Sequence, residues 1–259
     1  MSFFIIPITA LIASILTFFS GFGLGTILLP VFTIYYDAPI AVGLTAIVHF
    51  LNNVFKISLV YKNINWSVVF KFGIPSLLAA LIGAYFLKAI FSHSITIQTY
   101  ELNGHLFSIT FFNVLIGLLI IFFSLFEIIP YFKNLSFDKN KLTIGGLLSG
   151  FFGGLSGHQG ALRSAFLVRL DLNKEMFVAT GTAIACIVDI GRMSIYALTF
   201  DFTTIKNNSS VLLTAVSAAF LGAYIGNKLL KKTTLGFLKW FVTIFMVAIA
   251  LLMILGILD

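Results

Sequence analysis

Residues 150–175 read GFFGGLSGHQGALRSAFLVRLDLNKE, and residues 18–39 read FFSGFGLGTILLPVFTIYYDAP. In both stretches an apolar helix runs into a cluster of glycines and is followed by only about three turns of apolar helix. Glycine interrupts the helix because it tolerates positive φ and bares backbone N–H groups to whatever lies beside it. About eleven helical residues cover roughly 16 Å, too little for a hydrocarbon core of roughly 30 Å. Short, glycine-broken apolar segments at matching places in two halves point to the binding site of a transporter.

The rest of the chain fits a membrane setting. Of 259 residues, 59% are hydrophobic and 10% charged, and the mean hydropathy is +1.08. Long apolar runs without charge mean transmembrane helices. The net charge of +7 does not point to nucleic acid, because Lys and Arg lie in short connections between apolar spans. Cys186, the single cysteine, falls inside a predicted span, which leaves no intrachain disulfide and no Cys-based metal site. Residues 1–20 are apolar, with no basic start and no clear cleavage site, and read as a first helix instead of a removed signal peptide.

Apolar length and punctuation predict helical segments near 3–20, 26–36, 40–61, 67–90, 106–129, 142–157, 160–170, 175–199, 208–230 and 236–257. Eight are long and two short. Lys62-Asn63-Ile64-Asn65-Trp66 is a tight polar connection with an interfacial Trp, residues 92–104 form the longest polar loop, and residues 131–141 carry the basic link. Short matches recur in order. Phe18-Phe19-Ser20-Gly21 returns as Phe151-Phe152-Gly153-Gly154, and Thr45-Ala46-Ile47 as Thr182-Ala183-Ile184. Ala79-Ala80-x-x-Gly83-Ala84-Tyr85 returns as Ala218-Ala219-x-x-Gly222-Ala223-Tyr224. A duplication follows, with a first membrane repeat over 1–132 and a second over 133–259.

Charge decides the expected orientation. If each broken pair makes no net crossing, as a re-entrant hairpin or as two crossings, one side holds Lys62, Lys71, Lys133, Lys139, Lys141, Arg169, Lys174, Lys228, Lys231, Lys232 and Lys239. The other side holds only Lys88 and Lys206, and Lys56, Arg163 and Arg192 stay at membrane depth. Counting one crossing per broken pair removes the bias, so the first arrangement is favoured. The expected fold is an all-α polytopic membrane protein. It has two inverted repeats, each of four long helices plus one short half-helix after a Gly-rich break. It is multi-pass in the cell (cytoplasmic) membrane, with both termini outside.

Three motifs carry a family resemblance: the Gly-rich break followed by Leu28-Leu29-Pro30, the Asn63-Ile64-Asn65-Trp66 turn, and Leu81-Ile82-Gly83-Ala84-Tyr85. Together they resemble the sulfite exporter TauE/SafE family of the toluenesulfonate uptake permease group. The chain looks like a variant branch, with GFGLGTILLP where many members have a run of glycines, and GLSGHQGALRSAF in the second half. The resemblance implies a secondary carrier of sulfite, sulfonates or related small organic anions. It also implies a duplicated four-helix unit, from which four long segments plus one short one depart.

Three constellations can hold an anion. At the glycine breaks, Gly21, Gly23, Gly25, Gly157 and Gly160 let the backbone approach a ligand, with Thr26, Ser156, His158 and Gln159 as side-chain donors. The short helices add N–H groups and a positive dipole end. The alternative is that these small residues serve helix packing. Second, Thr45, His49, Asn52 and Lys56 share one face of the third segment, and Thr182, Asp189, Arg192 and Tyr196 one face of its repeat partner. Charges inside a span are costly, so they are kept for a reason. Asp189 and Arg192, three residues apart, can form a structural ion pair or yield Arg192 to a substrate, and His49 or Asp189 can pack by hydrogen bonding or carry a coupling proton. Third, Arg163 stands where the first repeat has Leu28, either as an anion ligand or snorkelling to the interface.

His49, His93, His105 and His158 show no metal-ligand spacing, so no metal and no cofactor is expected. The expected partners are a small anionic substrate and the lipid bilayer, with no nucleic acid, and a homodimer left open. The resulting reading is a carrier working by alternating access. An anion channel remains an alternative, as does a non-transport intramembrane enzyme or biogenesis factor, although no nucleophile–base or metal-ligand set is found.

Overall fold

The computed structural model describes residues 2–20, 24–93, 95–102, 104–129, 137–198, 207–229 and 236–258. Gly21, Gly23, Lys133, Lys206, Lys231 and Lys232 lie outside the described residues. The described chain forms α1 (Ser2–Ser20), α2 (Leu24–Phe32), α3 (Ala38–Val60), α4 (Trp66–Ser92), β1 (Thr96–Leu102) and β2 (His105–Thr110). It continues with α5 (Phe111–Ile128), α6 (Leu142–Ser156), α7 (Gly160–Leu167), α8 (Lys174–Tyr196), α9 (Ser209–Leu229) and α10 (Gly236–Ile254). Eight longer helices and two short ones appear, as the apolar runs predict. The chain is an all-α polytopic membrane protein with one added hairpin.

Burial is inverted relative to a water-soluble domain. Asp189 and Arg192 are 0% and 1% exposed, whereas Leu78 and Leu221 are 57% and 60% exposed. Such a surface suits lipid, where backbone polar groups must be satisfied within helices and charges must face the interior. Four helical segments among the described residues are long and apolar enough to cross a membrane: Ala38–Asn63, Trp66–Ser92, Lys174–Tyr196 and Ser209–Leu229.

The hairpin corrects one expectation. Residues 92–104 are expected as a loop and 106–129 as a helix, but β1 pairs antiparallel with β2, from Thr96 opposite Thr110 to Leu102 opposite His105. The reason is local. β-Branched and aromatic residues make up about half of each strand, and the sequence Asn103-Gly104 is a strong two-residue hairpin signal, with Gly104 at φ +78°. Helix α5 then starts at Phe111, where the Thr110 side chain accepts from Asn113 N–H.

Two tightly packed parallel pairs organise the bundle. Gly146, Gly150 and Gly154 recur every four residues along α6 and lie against the backbone of Phe72, Ser76 and Ala80 on α4. A Cβ at Gly150 would meet the Ser76 carbonyl oxygen and Cα. In the second pair the glycines come from α9: Gly222 lies against Leu11 and Ser14 of α1, and Gly226 against Ile15 and Phe18. Small residues permit this approach where lipid supplies no hydrophobic drive between helices. Helix α3 packs on α8 and α9, α8 on α4, and α5 on α10. Exchanging α1–α5 for α6–α10 in order turns each of these contacts into another member of the same set.

The second broken pair folds back on itself. Phe137 stacks on Phe166 with ring centroids 4.2 Å apart, and Phe137 N–H donates to the Ala165 carbonyl. Lys139, just before α6, pairs with Asp171, just after α7. That hydrogen bond and the ammonium charge hold the Asp171 carboxyl below the usual carboxylate range, though both partners are exposed and the pair adds little stability. A cluster of Val69, Phe72, Leu142, Phe166, Leu167, Leu170 and Ile184 joins the starts of α4 and α6, the end of α7 and the middle of α8, at the end of the molecule where α4 and α6 begin. Lys62, Lys139, Lys141, Arg169 and Lys174 flank that cluster in sequence.

The close α4–α6 seam is testable. Gly150→Ala should destabilise the detergent-solubilised protein by about 1–3 kcal/mol through overpacking. Leu78→Ala, on the exposed face of α4, should stay within about 0.5 kcal/mol. Thermal unfolding midpoints compare the two, and an unchanged midpoint for Gly150→Ala would show that the helices have room to spare.

Candidate functional site

The polar residues of α3 and α8 meet at the centre of the bundle. Asp189 accepts hydrogen bonds on both carboxylate oxygens. Oδ2 lies 2.8 Å from His49 Nδ1 and accepts from Asn53 Nδ2 at 2.9 Å, while Oδ1 accepts from Arg192 Nε at 3.0 Å and Nη2 at 2.8 Å. Arg192 Nη2 is also 3.3 Å from His49 Nδ1. The predicted Asp189–Arg192 pair is therefore present, and it carries two further partners from α3. Helix α3 can bring both because His49 and Asn53 stand four residues apart on one face.

A cavity of about 30 Å³ opens beside this cluster, room for roughly two waters or a few ligand atoms. Its polar lining is Thr17 of α1, His49, Asn53 and Lys56 of α3, Arg163 and Ser164 of α7, and Thr182 of α8. Lys56 Nζ donates to Thr17 Oγ1 at 3.2 Å and sits 5.5 Å from the centre of the Phe18 ring. Among the described residues no carboxylate lies within ion-pairing distance of Lys56. Arg163 does not snorkel: it is buried at the cavity, and its Nη1 donates to Gln159 Oε1 at 3.3 Å. The Ser164 hydroxyl is buried without a partner among the described residues.

The second glycine break touches the same cations. Helix α6 ends at Ser156, and Gly157 closes it at φ +81°, its N–H donating to the Gly153 carbonyl. This left-handed position favours glycine. A Cβ there would also stand 2.6 Å from Arg192 Nη1. Gly160 begins α7 and is buried. Gly25 on α2 approaches the cluster from the other side, where a Cβ would meet Thr45 Cγ2 at 3.5 Å and the His49 ring at 3.6 Å.

Not every expected residue faces the cavity. Asn52 turns to α1, where its Oδ1 accepts from Ser14, while the adjacent Asn53 takes the place at the carboxylate. Asn53 stands 136 residues before Asp189, the separation that also relates Lys56 to Arg192, and this spacing was the available signal for it. His158 points to α5: its ring stacks on Phe123 and its Nδ1 lies 3.0 Å from Ser156 Oγ. Thr26 and Thr45 are buried at the α2–α3 contact, and Tyr196 donates to the Gly154 carbonyl at 2.8 Å. Thr17 and Ser164 were missed, because an isolated hydroxyl in an apolar helix carries no pattern.

The charges do not balance. Among the described residues Lys56, Arg163 and Arg192 are buried cations and Asp189 is the buried carboxylate, a surplus of two positive charges. No group of His, Cys, Asp and Glu among the described residues can hold a metal ion. The chemistry on offer is attraction and orientation of a small anion by two kinds of cation, hydroxyls and amides.

Breaking the central pair should be costly. Arg192→Gln alone leaves a buried carboxylate short of its charged partner and should destabilise by about 3–5 kcal/mol. Asp189→Asn combined with Arg192→Gln should recover much of that loss. Unfolding midpoints of the single and double variants give the coupling, and simple additivity would mean that the pair contributes nothing as a unit.

A family model described as Sulfite exporter TauE/SafE matches residues 6–253, nearly the whole chain. No curated protein and no solved structure matches it.

Proposed function

As the chain belongs to the sulfite exporter TauE/SafE family, a family of membrane transporters, we propose that it is a secondary carrier of a small sulfur oxyanion or sulfonate that binds in the cavity between α3, α7 and α8. The observation that carries this reading is the surplus of two buried positive charges around a cavity lined by hydroxyls and amides. Net positive charge inside a membrane protein is costly, and a bound anion offsets it. Lys56 and Arg163 are the anion's primary ligands, with Thr17 and Ser164 as hydroxyl donors. Arg192, held by Asp189, is a reserve charge that the anion draws out on binding. The small cavity suits a compact oxyanion, and a larger sulfonate needs the cavity to widen.

Alternating access between two inverted repeats is the proposed mechanism. The exchangeable set of helix contacts and the folded-back α6–α7 pair support it. So does the grouping of Lys62, Lys139, Lys141, Arg169 and Lys174 near one apolar cluster. With that end cytoplasmic, as the positive-inside bias asks, both chain termini lie outside.

Two measurements test this reading. Lys56→Gln and Arg163→Gln should each weaken sulfite binding to purified protein about 10–100-fold, the worth of one charge-assisted hydrogen bond of roughly 1.5–3 kcal/mol. Wild-type affinity in both variants would move the anion away from this cavity. For topology, Lys139→Cys in a Cys186→Ala background should be shielded from a membrane-impermeant thiol reagent in intact cells, and Lys88→Cys should react. The reverse labelling pattern would refute the orientation.

A further inference from the structure

The cavity between α3, α7 and α8 is closed differently on its two sides. Along α3 the largest apolar core among the described residues comes first, from Ala38 to Val48, then the carboxylate cluster at His49 and Asn53, then the cavity down to Lys56. Along α8 the order is reversed, from Phe177 at the cavity through Asp189 to Tyr196 in that core. On the core side an anion would therefore meet the bonded carboxylate and then a thick layer that includes Leu44, Ile116 and Met246. On the other side, toward the end of the molecule where α4 and α6 begin, the cavity wall is Phe18, Leu167, Phe177 and Val178.

Two apolar clusters meet on this second side. One joins Phe72 of α4, Leu142 of α6 and Leu167 of α7 to Ile184 of α8. The other joins Phe18 of α1, Val60 of α3 and Ala223 of α9 to Val178 of α8. Among the described residues, Ile64 and Phe177 are the two side chains packed against both clusters, and both are half-buried. Ile64 lies in the turn from α3 to α4, and the next residue fastens that turn to α8. Asn65 donates its N–H to Thr180 Oγ1 at 3.0 Å, less than one helical turn from Phe177, and its side chain accepts from Val68 N–H at 3.2 Å.

We infer that Ile64 and Phe177 form the gate by which an anion passes between the cavity and the end of the molecule where α4 and α6 begin. The inference rests on the anion-carrier reading above and locates its entrance. An ion does not cross an apolar layer that excludes water, so the layer has to part. Because Ile64 and Phe177 are both held to α8, they can leave one cluster together, and each cluster keeps its own packing. Opening the core side would instead break the bonds of Asp189 and separate fully packed helices. The gate side thus opens with the smaller loss of contacts, and packed faces of this kind switch between discrete arrangements. Lys62, Arg169 and Lys174 are exposed and flank the gate in sequence, and such charge raises the local concentration of anions.

Ala185 lines the cavity without a polar side-chain atom and can carry a reporter. The full chain with Ala185→Cys and Cys186→Ala, in nanodiscs, is treated with a sulfonate-bearing methanethiosulfonate, a probe too large for a closed cavity of about 30 Å³. Ile64→Ala and Phe177→Ala should each speed the thiol reaction about tenfold by shifting the balance toward the open state. Ile116→Ala, in the large core, should leave the rate unchanged. An unchanged rate in both gate variants, or an equal rise in Ile116→Ala, overturns the inference. Where Phe177→Ala does not fold, Phe177→Leu keeps a smaller apolar side chain in place and should still raise the rate about threefold.

Transport supplies the second arm. Phe18→Cys and Leu167→Cys in the Cys186→Ala background place one thiol in each cluster across the gate. Bridging them with a short bifunctional thiol reagent should stop sulfite uptake into proteoliposomes, and undiminished uptake after bridging overturns the gate. If the wild type neither binds nor transports sulfite or methanesulfonate, the anion-carrier reading fails and the passage of an anion with it. A faster reporter reaction in the gate variants would still establish the opening itself.

Discussion

A single carboxylate cannot be buried in a membrane protein unless donors surround it, and Asp189 dictates where those donors come from. Arg192 is on its own helix, but His49 and Asn53 are on α3. Helices α3 and α8, one from each half of the chain, must therefore run side by side at matched depth. Their other neighbours follow, since α3 also supports α9 and α8 supports α4, and these hold α1 and α6 through the glycine seams. The polar centre sets the register of the bundle, and the small residues set how tightly it closes.

Two roles that glycine can play in a membrane helix are divided here between different glycines. Gly146, Gly150 and Gly154 serve contact with α4, as small-residue faces do. Gly157, three residues further on, ends the helix in a left-handed conformation and leaves space that the Arg192 guanidinium occupies. Packing and site-building are thus consecutive turns of one segment. A substitution in the first set moves helices, and one in the second moves a charge.

The charge surplus gives the centre its chemical character. Lys56 rests on a hydroxyl and a ring face, Arg163 on an amide oxygen, and Arg192 on the carboxylate. The last of these bonds joins opposite charges at hydrogen-bond distance. A protein whose sole task was stability would gain by replacing such groups with apolar ones of similar volume. Their retention around a small cavity fits the family assignment.

Much of this was legible in the chain itself. The apolar runs located the ten helices seen among the described residues, the two glycine clusters located the short ones, and the three-residue separation of Asp189 and Arg192 allowed their ion pair without deciding it. These are local signals: hydrophobic length, helical period and backbone permissiveness act within one segment, so a linear sequence expresses them. The hairpin that turns at Gly104 was equally local: β1 was read as polar loop, and β2 as the start of a helix because short apolar runs are ambiguous. Tertiary structure decided which of two adjacent asparagines meets the carboxylate, putting Asn53 there and turning Asn52 to Ser14. It also placed Thr17, Lys56, Arg163 and Thr182 around one cavity, although they lie up to 165 positions apart (182 − 17). The physical reason is rotation: neighbouring residues on a helix differ by about 100°, and only packing against other helices fixes which of them faces inward.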